Sequence, residues 1–250
     1  MVEPRTRGRV PFTGRLAPGH CATLALMTDH AALASPDEMR AHLVDELNLM
    51  LRRPGMYGDV EDGLRLAMNH LLFLERRPHA WGDQRGEWSR QGVCTPTGVR
   101  GALRPLLPSN AGYGVASIYA EFARRQGWLA TDRLLEDETY TAMRQVLPQW
   151  VGQDRVWGDV TEAFGPPSVL FGGSNPHYGK TLGYAAADAA KPMVSFHLWN
   201  GTAPGQEPSW PPLHAEPVLL AVRCGDGPFG ETFAFTPYGQ RLRSAASAGS

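Results

Sequence analysis

Along the first two thirds of the chain apolar residues recur every three or four positions, and from about residue 165 they alternate or run in short blocks. The first spacing predicts helices and the second predicts strands. Ser35-Pro36-Asp37-Glu38 is a helix start: Ser35 can cap, Pro36 suits the first helical position, and Glu38 closes a capping box. Met39, Leu43, Leu47, Met50 and Leu51 then make one stripe, and Pro54-Gly55 stops it. Asp59 is placed to cap a second helix with the stripe Leu64, Ala67, Met68, Leu71 and Leu72. Residues 76–96 carry Pro, Gly and two tryptophans and read as an ordered loop, and a broken helical region follows to Leu107. Val115 to Arg125 is a further helix, with Val115, Ile118, Tyr119 and Phe122 on one side and Gly127 after its end. Helical pieces also fit 132–146 and 158–164.

In the second part, Val194, Phe196 and Leu198 alternate with Met193, Ser195, His197 and Trp199. In 218–224 the alternation sets Val218, Leu220, Val222 and Cys224 against Leu219, Ala221 and Arg223. Phe233 and Phe235 anchor a last strand, and 169–171 and 181–185 supply earlier ones. Turns rather than long helices join these segments, so the sheet is antiparallel. Helices first and strands second predict an α+β fold, a helical half packed on a mainly antiparallel sheet of about five strands. The expected organisation is a disordered basic arm over 1–34, one domain over 35–243 (helical to 165, β from 166) and a frayed tail over 244–250. Met27 is an alternative start. The second sheet face is mixed rather than polar, so part of it should lie under the helices. Residues 201–217, rich in proline, read as a rigid loop across a sheet edge.

Composition narrows the function classes. The 250 residues carry a formal charge of −1, so no global field draws in nucleic acid or an anionic membrane. No apolar run approaches the roughly 18 residues that a membrane span needs. Three scattered cysteines make neither a disulfide framework nor a zinc site, and a reducing cytoplasm is expected.

The densest set of ligand-touching residues runs from Gly165 to Asn200. Ser174-Asn-Pro-His-Tyr-Gly179-Lys180-Thr181 invites comparison with a phosphate loop, but the position that needs the first glycine is Ser174. Pro176 also removes a backbone donor, and a strand rather than a helix follows. The segment reads instead as a turn between strands. His177, His197 and His214 lie apart with no paired spacing, so no metal and no cofactor is expected. Cys224 or Ser195 with His197 as base would be the nucleophile reading, but no nucleophile elbow is present.

Arg52-Arg53-Pro54-Gly55-Met56-Tyr57 resembles a segment of the gyrase B-type ATPases. That family's Glu- and Asn-bearing helix is not matched by residues 64–76, so ATP binding is not carried over. With its flanking helices the segment also resembles the opening of small uncharacterised bacterial proteins, some of them immunity proteins of toxin systems. This second resemblance implies binding of a protein partner. The structural alternative has Pro-Gly ending one helix and Tyr57 packing as a staple into the next.

The reading that follows is a binding protein without chemistry of its own, for a protein partner or a small ligand. The other possibility is a hydrolase or transferase acting on a small molecule, with its site at the 172–180 turn and the 193–200 strand. The candidate surface is Ser174, Asn175, His177, Tyr178, Lys180, His197, Trp199 and Arg223.

Overall fold

A computed structural model describes residues 35–56, 58–107, 111–201 and 210–248. The arm expected over 1–34 and the Tyr57 staple lie outside these residues, as do residues 202–209 of the 201–217 loop. Among the described residues the helices are α1 (Pro36–Arg52), α2 (Val60–Leu74), α3 (His79–Gln91), α4 (Gly98–Leu103), α5 (Ala111–Arg125), α6 (Asp137–Trp150), α7 (Trp157–Phe164) and α8 (Pro237–Ala248). The strands are β1 (Val169–Phe171), β2 (Lys180–Tyr184), β3 (Val194–Trp199), β4 (Val218–Arg223) and β5 (Phe233–Phe235). The five strands form one antiparallel sheet in the order β1-β2-β3-β4-β5. The α+β reading holds.

Helices with a clean apolar stripe form where the spacing puts them. Asp59 caps α2 by accepting from the backbone N–H of Glu61 and Asp62, and all five residues of the expected stripe are buried. In α1 the stripe is buried only in its second half: Leu47 and Leu51 are inside, whereas Met39 is 42% exposed. Asn48 fixes that half. Its amide donates to Trp128 O at 2.7 Å and its carbonyl accepts from Ala130 N at 2.7 Å, tying α1 to the chain beyond α5.

Residues 76–96, expected as a loop, contain α3. Its sequence is mostly polar with two glycines, so propensity gives no helix signal. Tertiary contact supplies it. Trp81 and Trp88, seven residues apart on one face, meet at 5.7 Å and pack on Tyr119 and Phe122 of α5. Buried Glu61 does the same for short α4, accepting from the N–H groups of Val99 and Arg100 at 2.8 and 3.1 Å while Tyr119 donates its hydroxyl at 3.1 Å.

The largest departure concerns the sheet's second face. Every residue of β2 and β3 is buried. One face, with Phe171, Met193 and Trp199, packs into the core of α1 to α5. The other, with Tyr184, Phe196 and Leu198, packs under α6 and α7. His197 and Trp199, expected on a partly open face, are therefore core residues with 0% and 3% exposure. The alternation expected in β4 also breaks. A bulge opposite His197/Leu198 leaves Leu220 without a partner in the register, so Leu219 and Val222 share one core while Leu220 and Ala221 share the other.

The tail expected to fray from 244 continues α8 as far as Ala248. Thr236 starts this helix: its Oγ1 accepts from Gly239 N at 3.1 Å and donates to Leu219 O at 2.7 Å. Gly239 lets the helix sit on β4, because a Cβ there would lie 2.0 Å from Leu220 O.

Phe196 contacts Trp150, Phe164 and Tyr184 with ring centroids at 5.9, 5.3 and 5.3 Å. Phe196→Ala should cost about 3–5 kcal/mol in urea unfolding. A loss below about 1 kcal/mol would mean that the α6–α7 layer does not depend on this contact.

Candidate functional site

The structure distributes the eight expected surface residues over three places. Ser174, Asn175, His177 and Tyr178 occupy the turn between β1 and β2, with Ser174, Asn175 and Tyr178 exposed. Asn175 Oδ1 accepts from His177 N at 2.9 Å, so the turn closes on itself. Lys180 sits at the start of β2 and is fully buried. Its ammonium donates to Gly173 O at 2.9 Å and Asn175 O at 2.8 Å and lies 3.7 Å from the Trp157 ring centroid. Burial pulls its pKa down to about 8, while the two carbonyls and the ring face hold the charged form. Lys180 thus pins the turn from inside, and no phosphate-type loop forms around it. The rings of His177 and Tyr178 lie 5.5 and 6.2 Å from that of Trp210, which is 67% exposed.

Trp199 belongs to the same end of the sheet but lies in the core, beside His214 and Tyr238. The Arg52 to Met56 motif is structural where it is described: Arg52 pairs both guanidinium nitrogens with Asp132 at 3.0 and 2.9 Å, and its carbonyl accepts from Gly172 N at 2.9 Å. Pro54-Gly55 ends α1, as expected.

His197 is in the middle of the sheet. Its Nδ1 lies 3.1 Å from Thr181 Oγ1, its ring stacks on Phe233 at 5.6 Å, and its Nε2 has no hydrogen-bond partner. Burial, with the Arg223 guanidinium adding to it, pushes its pKa down to about 3. Ser195 Oγ is likewise buried without a partner, so serine and imidazole are not bonded as a nucleophile and base would be. Cys224 is partly buried and its thiol pKa is raised by that burial, the opposite of an activated thiol.

Of the eight, Arg223 lines a cavity. It ends β4 opposite Ser195, 5% exposed, and pairs with Glu121 of α5. Glu121 also accepts from Met193 N at 2.9 Å. Beside this pair opens a cleft of about 280 Å³. Its walls come from α3, α5, the end of β4 and the Gly225–Gly227 turn, where Gly225 at φ 118° swings the chain onto the rim.

Two features of the walls bear on chemistry. Gln84 is 5% exposed; its Oε1 accepts from Arg125 at 2.8 Å, which fixes the amide orientation, and its Nε2 then has no acceptor. Arg223 Nε is also buried without an acceptor. The charged side chains of the lining are Arg125, Arg223, Glu87, Glu121 and Asp226, with Glu87 and Asp226 exposed. Trp88, Ile118 and Phe229 supply apolar surface.

Sequence reasoning found Arg223 but missed Gln84, Glu121 and Arg125. Gln84 fell in the stretch read as a loop. Glu121 did carry a signal, since it follows Ile118 by three positions and so lies on the packed side of α5. Comparison with protein families, curated proteins and solved structures finds no match to this chain.

A neutral His197 is required by the fold, so stability is whole above the ordinary histidine pKa near 6.5 and falls as pH drops from there toward 3. His197→Gln, which does not titrate, should flatten the stability–pH slope in that window by up to about 1.4 kcal/mol per pH unit. Equal slopes in urea melts of the two proteins across pH 4–6 would place the acid sensitivity elsewhere.

Proposed function

We propose that the protein works by binding, without chemistry of its own, and that its ligand is a small polar molecule held in the cleft between α3, α5 and the end of β4. The carrying observation is the cleft itself, whose walls bring Gln84, Glu121, Arg125 and Arg223 from three elements to one cavity. Walls that carry both signs of charge favour a polar ligand over a hydrocarbon. The volume, at or below the small end of ligand pockets, favours a compact molecule.

Binding is favoured over catalysis because the central carboxylate is already committed. Glu121 faces Arg223 and the Met193 N–H, which leaves it poorly placed to move a proton. The enzyme alternative at 172–180 is weakened in the same way, since Lys180 spends its donors on the turn.

A protein partner is the second reading, favoured by an exposed apolar pair on α2. Leu66 and Phe73, seven residues apart and so on one helix face, are 58% and 80% exposed. This is the form that the immunity-protein resemblance would take.

Backbone amide spectra recorded with small amines, carboxylates, zwitterions and sugars test the first reading. At least one class should shift resonances of residues 84–91 and 223–227 together, with saturation. Shifts confined to the outer face of α2 or to the 172–180 turn, or none with any class, would overturn it.

A further inference from the structure

Resting on the second reading above, a protein partner on the outer face of α2, we infer that this partner is a second copy of the chain, docked antiparallel on the same helix about a two-fold axis. The cleft plays no part in this contact.

The face has the spacing of a helix seam. Asp62, Leu66, Asn69 and Phe73 follow one another at intervals of four, three and four residues, the repeat by which one helix meets another. All four are exposed, Leu66 at 58% and Phe73 at 80%, while Leu64, Met68 and Leu71 on the opposite side of the helix lie in the core. Covering a leucine and a phenylalanine this exposed is favourable by about 25 cal/mol for each Å² of apolar surface removed from water.

The charges along the strip say what covers it. Asp62 stands at its start, and Arg76 and Arg77 follow its end, all three exposed. Their ion pairs within the chain are long and wet: Asp62 lies 3.7 Å from Arg65, and Arg77 lies 3.7 Å from Glu75. A fitting partner presents a base, an apolar pair and an acid in the reverse order. The same helix turned end for end does so. A two-fold axis midway between Leu66 and Phe73 sets Leu66 against Phe73 of the second copy, Asn69 against His70 and Asp62 against Arg77, because the members of each pair stand equally far from that midpoint in the sequence. A parallel pairing would instead set Asp62 on Asp62 and the arginines on the arginines. A partner of one charge sign, or an anionic bilayer, meets attraction at one end of the strip and repulsion at the other.

One helix on one helix is at the low end of stable interfaces, so association is expected in the range of tens of micromolar, roughly, and above. Sedimentation equilibrium on the full chain from about 5 to about 500 µM reads it. The weight-average mass should rise from that of one chain toward that of two. Phe73→Gln, at an exposed position, should leave the melting midpoint of dilute protein unchanged and raise the dissociation constant about tenfold or more. Asp62→Arg should also weaken association. Adding Arg76→Asp and Arg77→Asp to it in the same chain should restore association, because the exchanged charges meet opposites again across an antiparallel pair and not across a parallel one. Association untouched by Phe73→Gln, or a triple variant no better than Asp62→Arg, would overturn the assignment. The mass of one chain throughout the range would sink the second copy and leave the partner reading standing. A fall in the melting midpoint of dilute Phe73→Gln would make this ring part of the monomer's own core and sink both.

Discussion

A sheet covered on both faces has no solvent side, and that constraint decides where each polar group of its central strands goes. Thr181, Ser195, His197 and Arg223 all lie within 5% of full burial, beneath helices rather than beside water. Arg223 is the most demanding of them. Its charge is answered by Glu121 on the helix that covers it, so the ion pair fixes how α5 lies across β3 and β4. Such a pair adds little net stability over an apolar packing, yet loss of one partner leaves a buried charge that costs about 3–5 kcal/mol. Arg124, in the last turn of that helix, donates to the carbonyls of Ala186, Asp188 and Lys191 and so holds the β2–β3 connection against it.

The cleft is a consequence of this arrangement. Helix α5 is buried on nearly all sides along its second half, and α3 covers it through Trp81, Trp88 and the Gln84–Arg125 hydrogen bond. Where α3 leaves α5 and the chain turns away after β4, the Arg223–Glu121 pair is left at the edge of a cavity instead of inside the core. At the other end of the sheet the comparable charge, Lys180, is buried against two carbonyls and a ring.

What the sequence showed follows from which interactions are local. The stripe of α2, its Asp59 cap and the core row Val194, Phe196 and Leu198 rest on spacing and on residues a few positions apart, and each was legible. Helix α3 rests on two tryptophans meeting another helix, which no propensity reports. The bulge in β4 is a property of two paired strands, so alternation read along one of them mispaired Leu220. Thr236-Pro237 was a readable helix start, but the small polar residues after it outweighed that signal. For the site, a dense run of polar residues at 174–180 proved to be a turn that bonds to itself. The cavity instead draws Gln84, Glu121, Arg125 and Arg223 from three distant elements, a convergence only tertiary structure creates.

The placement of α5 across the sheet rests on the Arg223–Glu121 pair. Urea unfolding of Arg223→Met, Glu121→Leu and the double variant tests this most directly. Each single variant should lose about 3–5 kcal/mol, and the double variant much less than the sum of the two. Additive losses, or single losses below about 1 kcal/mol, would contradict the account.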